Sequence, residues 1–137
     1  MPGGGGIVRA TLATDEDVVR LRQMVRADMI TLKFSLTDQT KMVTAASELA
    51  RNVLRYGGGG HAELDQLEQG MQKGVRVTFI DAGPGIADMA LAMTDGYTSG
   101  GGMGLGLSGA KRLADDFEIN SAPGKGTTVS ITKWKAF

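Results

Sequence analysis

Cysteine is absent from this 137-residue chain. That excludes disulfides and thiolate metal sites, and it fits a reducing compartment. Net charge is absent too, since 15 acidic side chains balance 15 basic ones. No global field therefore recommends nucleic acid or an anionic membrane as a partner. No apolar run approaches the length of a membrane span. Met1-Pro2 and the glycines after it lack the basic and apolar regions of a secretory signal, so a soluble, cytoplasmic protein is expected. The single histidine, His61, follows a glycine run and reads as a loop or strand-edge residue.

Glycine is in excess, at 21 residues, and its distribution matters more than its count. Gly3 to Gly6 reads as the end of a flexible leader over residues 1–6, followed by a single domain over 7–137. Gly57 to Gly60 ends a helix, and Gly100 to Gly102 opens a second glycine-rich pattern. No fixed period links these runs, so a solenoid is not indicated.

Periodicity gives a mixed α and β order. Ile7 to Thr14 alternates as a half-buried strand does. Thr14 then suits an N-cap, with Asp15, Glu16 and Asp17 in the first turn, where the helix dipole favours negative charge. Thr37-Asp38-Gln39 is a second start signal for a helix running to Gly57. His61 to Leu67 is ambiguous between strand and turn. Val75 to Ile80 is a strand, Asp88 to Thr94 a short helix, Gly106 to Asp116 a helix, and Phe117 to Ser121 and Thr127 to Trp134 a terminal hairpin. Together they suggest an α/β sandwich with helices on one sheet face.

Three local patterns carry chemistry. Glu48 and Asn52 are four residues apart on a helix, so they share a face. The Asn52 oxygen can complete the shell of a Mg²⁺ already held by phosphates, and the Glu48 carboxylate can accept a proton from an incoming hydroxyl or water. Alone, the pair suits a solvated helix face better, and Arg51 and Arg55 read as solvated or ion-paired. Asp81 directly follows a strand, where a carboxylate can accept from an adenine amino group. Gly83 and Gly85 let the backbone approach and turn, while Pro84 restricts that turn. An ordinary strand-ending turn explains Asp81 equally well in isolation. Glycines at 100, 101, 102, 104 and 106 lead into a helix whose free N–H groups suit a triphosphate. This is not a Walker A loop, because no Gly-Lys-Ser/Thr follows, and it does not sit in a dinucleotide βαβ unit.

In this order the patterns resemble a known family. Glu48 to Asn52, Asp81 to Ile86, Gly102 to Leu107 and Gly124 to Thr127 resemble the N, G1 and G2 boxes and terminal threonine motif of the GHKL ATPase superfamily. The likeness runs from roughly Ile7 to Trp134. More narrowly, Phe34 to Gln39, Ser47 to Asn52 and Leu91 to Gly100 resemble the switch serine/threonine kinases of bacterial stress signalling, the RsbT type. Many anti-sigma-factor relatives carry Asn-Ala and a later His after the N box. Here Asn52-Val53 and Tyr56 stand instead, which favours the switch branch over direct sigma-factor binding.

The resemblance implies an α/β (α+β) two-layer sandwich of the Bergerat ATP-binding type, a left-handed β-α-β arrangement with a mixed sheet and helices on one face. It implies ATP and Mg²⁺ as cofactors, Glu48 as general base, Asn52 as metal ligand and Asp81 as adenine reader. Gly83, Gly85, Ile86 and Thr127 would lie around the base. Gly102, Met103, Gly104, Leu105, Gly106 and Leu107 would form the phosphate loop and lid, with Thr94 to Ser99 ordering over nucleotide. The implied reaction is phosphoryl transfer to a serine or threonine of a STAS-domain antagonist, with a phosphatase or other output protein as second partner. A histidine kinase would need an acceptor histidine on a dimerisation helix, and a gyrase-like motor a transducer domain. The remaining rival is a non-catalytic ATP-binding anti-sigma-type interaction module, against which Glu48 and Asn52 both speak.

Overall fold

A computed structural model describes residues 6–86, 93 and 106–135 of the chain. The elements are β1 (Val8–Leu12), α1 (Asp15–Thr31), α2 (Leu36–Gly57), β2 (Gly60–Gln69), β3 (Gln72–Asp81), α3 (Gly106–Leu113), β4 (Asp116–Ser121) and β5 (Thr127–Trp134). The expected leader and the Asp88 to Thr94 helix fall mainly or wholly outside the described residues.

Helix α1 begins as its sequence dictates. Thr14 Oγ1 accepts from the Asp17 N–H at 3.2 Å, and the Asp17 carboxylate accepts from the Thr14 N–H at 3.0 Å. This reciprocal capping box satisfies two donors that a helix start leaves unpaired. Val18, Leu21, Val25 and Met29 form the buried stripe. Helix α2 starts earlier than Thr37. Ser35 is the cap, its Oγ accepting from the Asp38 N–H at 3.1 Å, so Asp38 lies inside the first turn. The helix ends on Gly57, and Gly58 takes the left-handed conformation (φ 73°) while its N–H closes onto the Val53 carbonyl.

Among the described residues five strands lie in the order β1-β2-β3-β5-β4, and every pairing is antiparallel. The expectation of helices on one face holds, but the expectation of a mixed sheet does not. β3 and β4 do run the same way, on either side of α3, yet β5 inserts between them and pairs antiparallel with both. The ambiguous stretch after Gly60 is a ten-residue strand. Within it His61 is ladder-paired with Thr11 and Ile80, and its Nδ1 lies 3.2 Å from the Arg9 guanidinium. Gly70 (φ 63°) and Met71 make the tight β2–β3 turn.

The core lies between the helices and one sheet face, with Leu21, Met29, Met42, Leu49, Phe79 and Ile131 fully buried. Helix α3 ends at Leu113, short of the expected Asp116, because the sheet claims the residues that follow. The Asp115 N–H donates to the Thr132 carbonyl at 2.9 Å, and the Asp115 carboxylate accepts from the Trp134 N–H at 2.7 Å. Lys133, buried on β5, reaches Asp115 at 3.3 Å and Asp38 at 3.9 Å, which ties the start of α2 to this corner.

One half-buried carboxylate yields a stability prediction. Asp28 on α1 accepts from Gln66 Nε2 at 3.2 Å. Desolvation raises its pKa, and the Gln66 bond only partly opposes that. A carboxyl raised on folding binds its proton more tightly in the native state, so stability falls as pH rises from the unfolded pKa through the raised one. Asp28→Asn keeps an acceptor oxygen for Gln66 and removes the charge. Thermal unfolding of this variant is expected at a higher midpoint than the parent at neutral pH, the difference closing in acid.

Candidate active site

Asp81 ends β3 against the last residue of α2. A Cβ on Gly57 would lie 2.5 Å from Asp81 Cγ, so only glycine fits while the carboxylate stays in place. Gly83 closes the other side, since a Cβ there would lie 2.7 Å from the Gly57 Cα. The Gly83 N–H also donates to Asp81 Oδ1 at 2.9 Å. One carboxylate oxygen is thereby oriented by backbone. Among the described residues no hydrogen bond of the other, Oδ2, is seen, so it is available to a donor.

The opposite wall is built around Ser121, at the end of β4. Its Oγ accepts from the Ile86 N–H at 2.8 Å, donates to the Gly126 carbonyl at 3.0 Å and meets Thr127 Oγ1 at 2.8 Å. With the Ser121 proton given to Gly126, the Thr127 hydroxyl donates to Ser121 and keeps its lone pairs for a ligand. Thr127 is the direct register partner of Asp81. Gly85 and Gly126 both have positive φ, and a Cβ on either would strike a carbonyl oxygen, of Ala122 and Asp81 respectively. The glycine-rich turn and the β4–β5 turn are therefore locked together beside Asp81.

Glu48 and Asn52 stand on α2, before Gly57. From the helical rise of about 1.5 Å per residue, Asn52 lies roughly 7–8 Å and Glu48 roughly 13–14 Å along the axis from Gly57. Glu48 is buried and Asn52 half-buried. The Arg51 guanidinium sits 3.8 Å from Glu48 Oε1, a loose ion pair. Arg55 lies over the Tyr56 ring, 5.9 Å from its centroid. Helix α3 packs against α2. It opens on Gly106, whose φ of 68° demands glycine, and its first turn buries Ser108. The Ser108 Oγ has no hydrogen-bond partner among the described residues. A buried hydroxyl with no partner among the described residues, set at a helix start, is placed to meet an anionic ligand there.

Glu48, Asn52, Asp81, Gly83, Gly85, Ile86, Gly106, Leu107 and Thr127 thus lie on α2, the end of β3 and the turn after it, the start of α3 and the start of β5. Gly102, Met103, Gly104 and Leu105, with the expected lid, lie outside the described residues. Gly57, Ser108 and Ser121 belong with this set and carry no sequence motif of their own. Among the described residues no three His, Asp or Glu side chains converge as a metal cage. The Asn52 side-chain oxygen is a residue that could hold a divalent cation there, with ligand phosphates supplying the other donors.

Residues 37–136 match the model of the histidine kinase-, DNA gyrase B- and HSP90-like ATPase family. The chain belongs to this family. Within the family it is 42% identical to the serine/threonine-protein kinase RsbT of Bacillus subtilis (strain 168), over 123 residues that cover 90% of this chain and 92% of the relative. It is 27% identical over 117 residues, 82% of each chain, to the anti-sigma F factor of Thermoanaerobacter sp. (strain X514). A crystal structure of the RsbU and RsbW domains of a Mycobacterium tuberculosis protein superposes with a TM-score of 0.66 at 20% identity, covering 96% of this chain. That likeness shows the ATPase fold, and the chain spans 33% of that larger structure. No helix among the described residues of this ATPase is long and apolar enough to cross a membrane.

Proposed function

We propose that this chain, a serine/threonine kinase of the GHKL type, phosphorylates a STAS-domain antagonist within a partner-switching module and acts on a phosphatase or other output protein when released. The observation that carries the nucleotide half of this reading is the glycine-walled Asp81 carboxylate, one oxygen held by Gly83 and Thr127 opposite in register. A carboxylate fixed in this way selects a base that presents an amino group. Adenine does so where guanine presents a carbonyl.

Each residue then has one task. Asp81 and Thr127 hold the base, and the N–H groups and Ser108 hydroxyl at the start of α3 hold phosphate. Asn52 would hold Mg²⁺ together with phosphate oxygens; when bound, the ion neutralises charge on the transferring group. Glu48 takes the proton of the attacking serine or threonine hydroxyl as its oxygen bonds to the γ-phosphorus and ADP leaves. Phosphoryl transfer asks for little more than this positioning and charge stabilisation.

Calorimetry tests the site. Mg·ATP is expected to bind in clear preference to Mg·GTP. Asp81→Asn is expected to bind ATP severely more weakly, because its amide presents a donor where an acceptor is needed. Equal affinity for the two nucleotides, or unchanged affinity in the variant, would remove Asp81 from the site.

A further inference from the structure

At the end of the sandwich away from Asp81, the α1–α2 turn and the β2–β3 hairpin enclose a cleft of about 290 Å³. Its lining includes three lysines, Lys33, Lys73 and Lys135, together with the apolar Leu32 and Met71. Strand β3 separates it from the nucleotide residues: Gln72 at the cleft and Asp81 are the two ends of one strand, roughly 30 Å apart at the rise of an extended chain.

The three cations are placed by backbone rather than scattered. The Lys135 N–H donates to the Lys73 carbonyl at 2.8 Å, extending the β3–β5 ladder by one step. Lys33 closes α1, its N–H donating to the Ile30 carbonyl. It does so at φ 63°, the one positive φ of a non-glycine residue among the described residues. This position after a helix C-cap suits glycine, and a lysine there is strained. Lys73 has a rim partner in Glu68 at 3.6 Å, whereas Lys33 and Lys135 have no ion pair among the described residues. In a chain of zero net charge this is a local cationic surplus. Beside it Met71 is 89% exposed at the hairpin tip, a flexible apolar side chain able to adapt to an occupant.

Ammonium groups around a concavity, together with apolar side chains, match a segment that carries both carboxylates and an apolar residue. We infer that the cleft docks an acidic segment of a protein partner, its carboxylates on Lys33, Lys73 and Lys135 and its apolar side chain against Leu32 and Met71. The cleft is a second partner surface, remote from the nucleotide. It does not depend on the kinase reading, because its binding requires neither ATP nor Glu48.

Amide NMR of the full chain tests it with a blocked peptide alternating glutamate and leucine, a glutamine–leucine control, inorganic phosphate, and phosphatidylserine-containing vesicles. The glutamate peptide is expected to shift amides at 31–33, 71–73 and 135, and the glutamine peptide to leave them unmoved. Lys33→Gly relieves the strained φ, so it is expected to melt higher than the parent and yet bind the peptide several-fold more weakly. Lys73→Gln with Lys135→Gln is expected to weaken binding likewise. Absent shifts, or unchanged affinity in a folded Lys33→Gly, would overturn the proposal. Equal shifts from phosphate would make the cleft a small-anion site, and binding confined to vesicles a lipid site; either result also overturns it.

Discussion

Replacing Glu48 with glutamine is expected to leave ATP binding intact and to lower phosphate transfer by about 10²–10⁴-fold, the usual contribution of a general base. The substitution keeps volume and polarity in a buried position, so the helix has no reason to move. What is lost is the ability to take a proton from the acceptor hydroxyl. Asn52→Ala should behave differently: metal-dependent ATP binding and transfer are expected to fall together. Single-turnover transfer beside nucleotide calorimetry separates the two patterns. Transfer at the parental rate in Glu48→Gln would contradict the catalytic assignment and favour a binding module.

The second large effect is expected from Gly57→Ala. Nothing in the local backbone demands glycine here, because Gly57 lies within α2 and is not among the glycines of positive φ. Alanine is favoured over glycine by about 1 kcal/mol in a helix interior and by less at the last helical residue, so the helix alone would not lose. The site would lose, since the new Cβ would lie 2.5 Å from Asp81 Cγ and displace the carboxylate. ATP binding is therefore expected to be nearly abolished in a protein of parental or higher thermal stability. Gly58→Ala is the control. Its φ of 73° makes alanine strained, yet a Cβ there meets nothing within 4 Å. That variant should lose stability and keep nucleotide. Normal ATP affinity in Gly57→Ala would show that Asp81 does not act from the position described.

The helices and the C-terminal hairpin were legible because each rests on local chemistry: Thr14 with Asp17 for α1, the apolar stripe and terminal glycine for α2, and the Pro123 to Gly126 turn for β4 and β5. Strand β2 was less legible. Ala62 and Leu64 alternate inward with Glu63 and Asp65, but Gln66 then breaks the pattern because it is there to meet Asp28. The sheet's wholly antiparallel pairing was not legible, since β5 takes its place between β3 and β4 only through tertiary packing. The candidate chemical side chains were singled out by spacing and strand ends. Their supports were not. Gly57 reads as a helix terminator in the sequence, and only β3 laid against it shows its second role; Ser121 is an isolated serine whose partners come from two distant segments, the turn after β3 and the junction of the β4–β5 turn with β5.

Phosphosite mapping of a STAS-domain protein recovered with this chain, as the proposed substrate, before and after incubation with Mg·ATP tests the central claim most directly. The expected result is one phosphate gained on a serine or threonine with the parental chain and none with Glu48→Gln. A partner that stays unphosphorylated, while its affinity still responds to ATP against ADP, would contradict the kinase reading and leave a nucleotide-gated interaction module in its place.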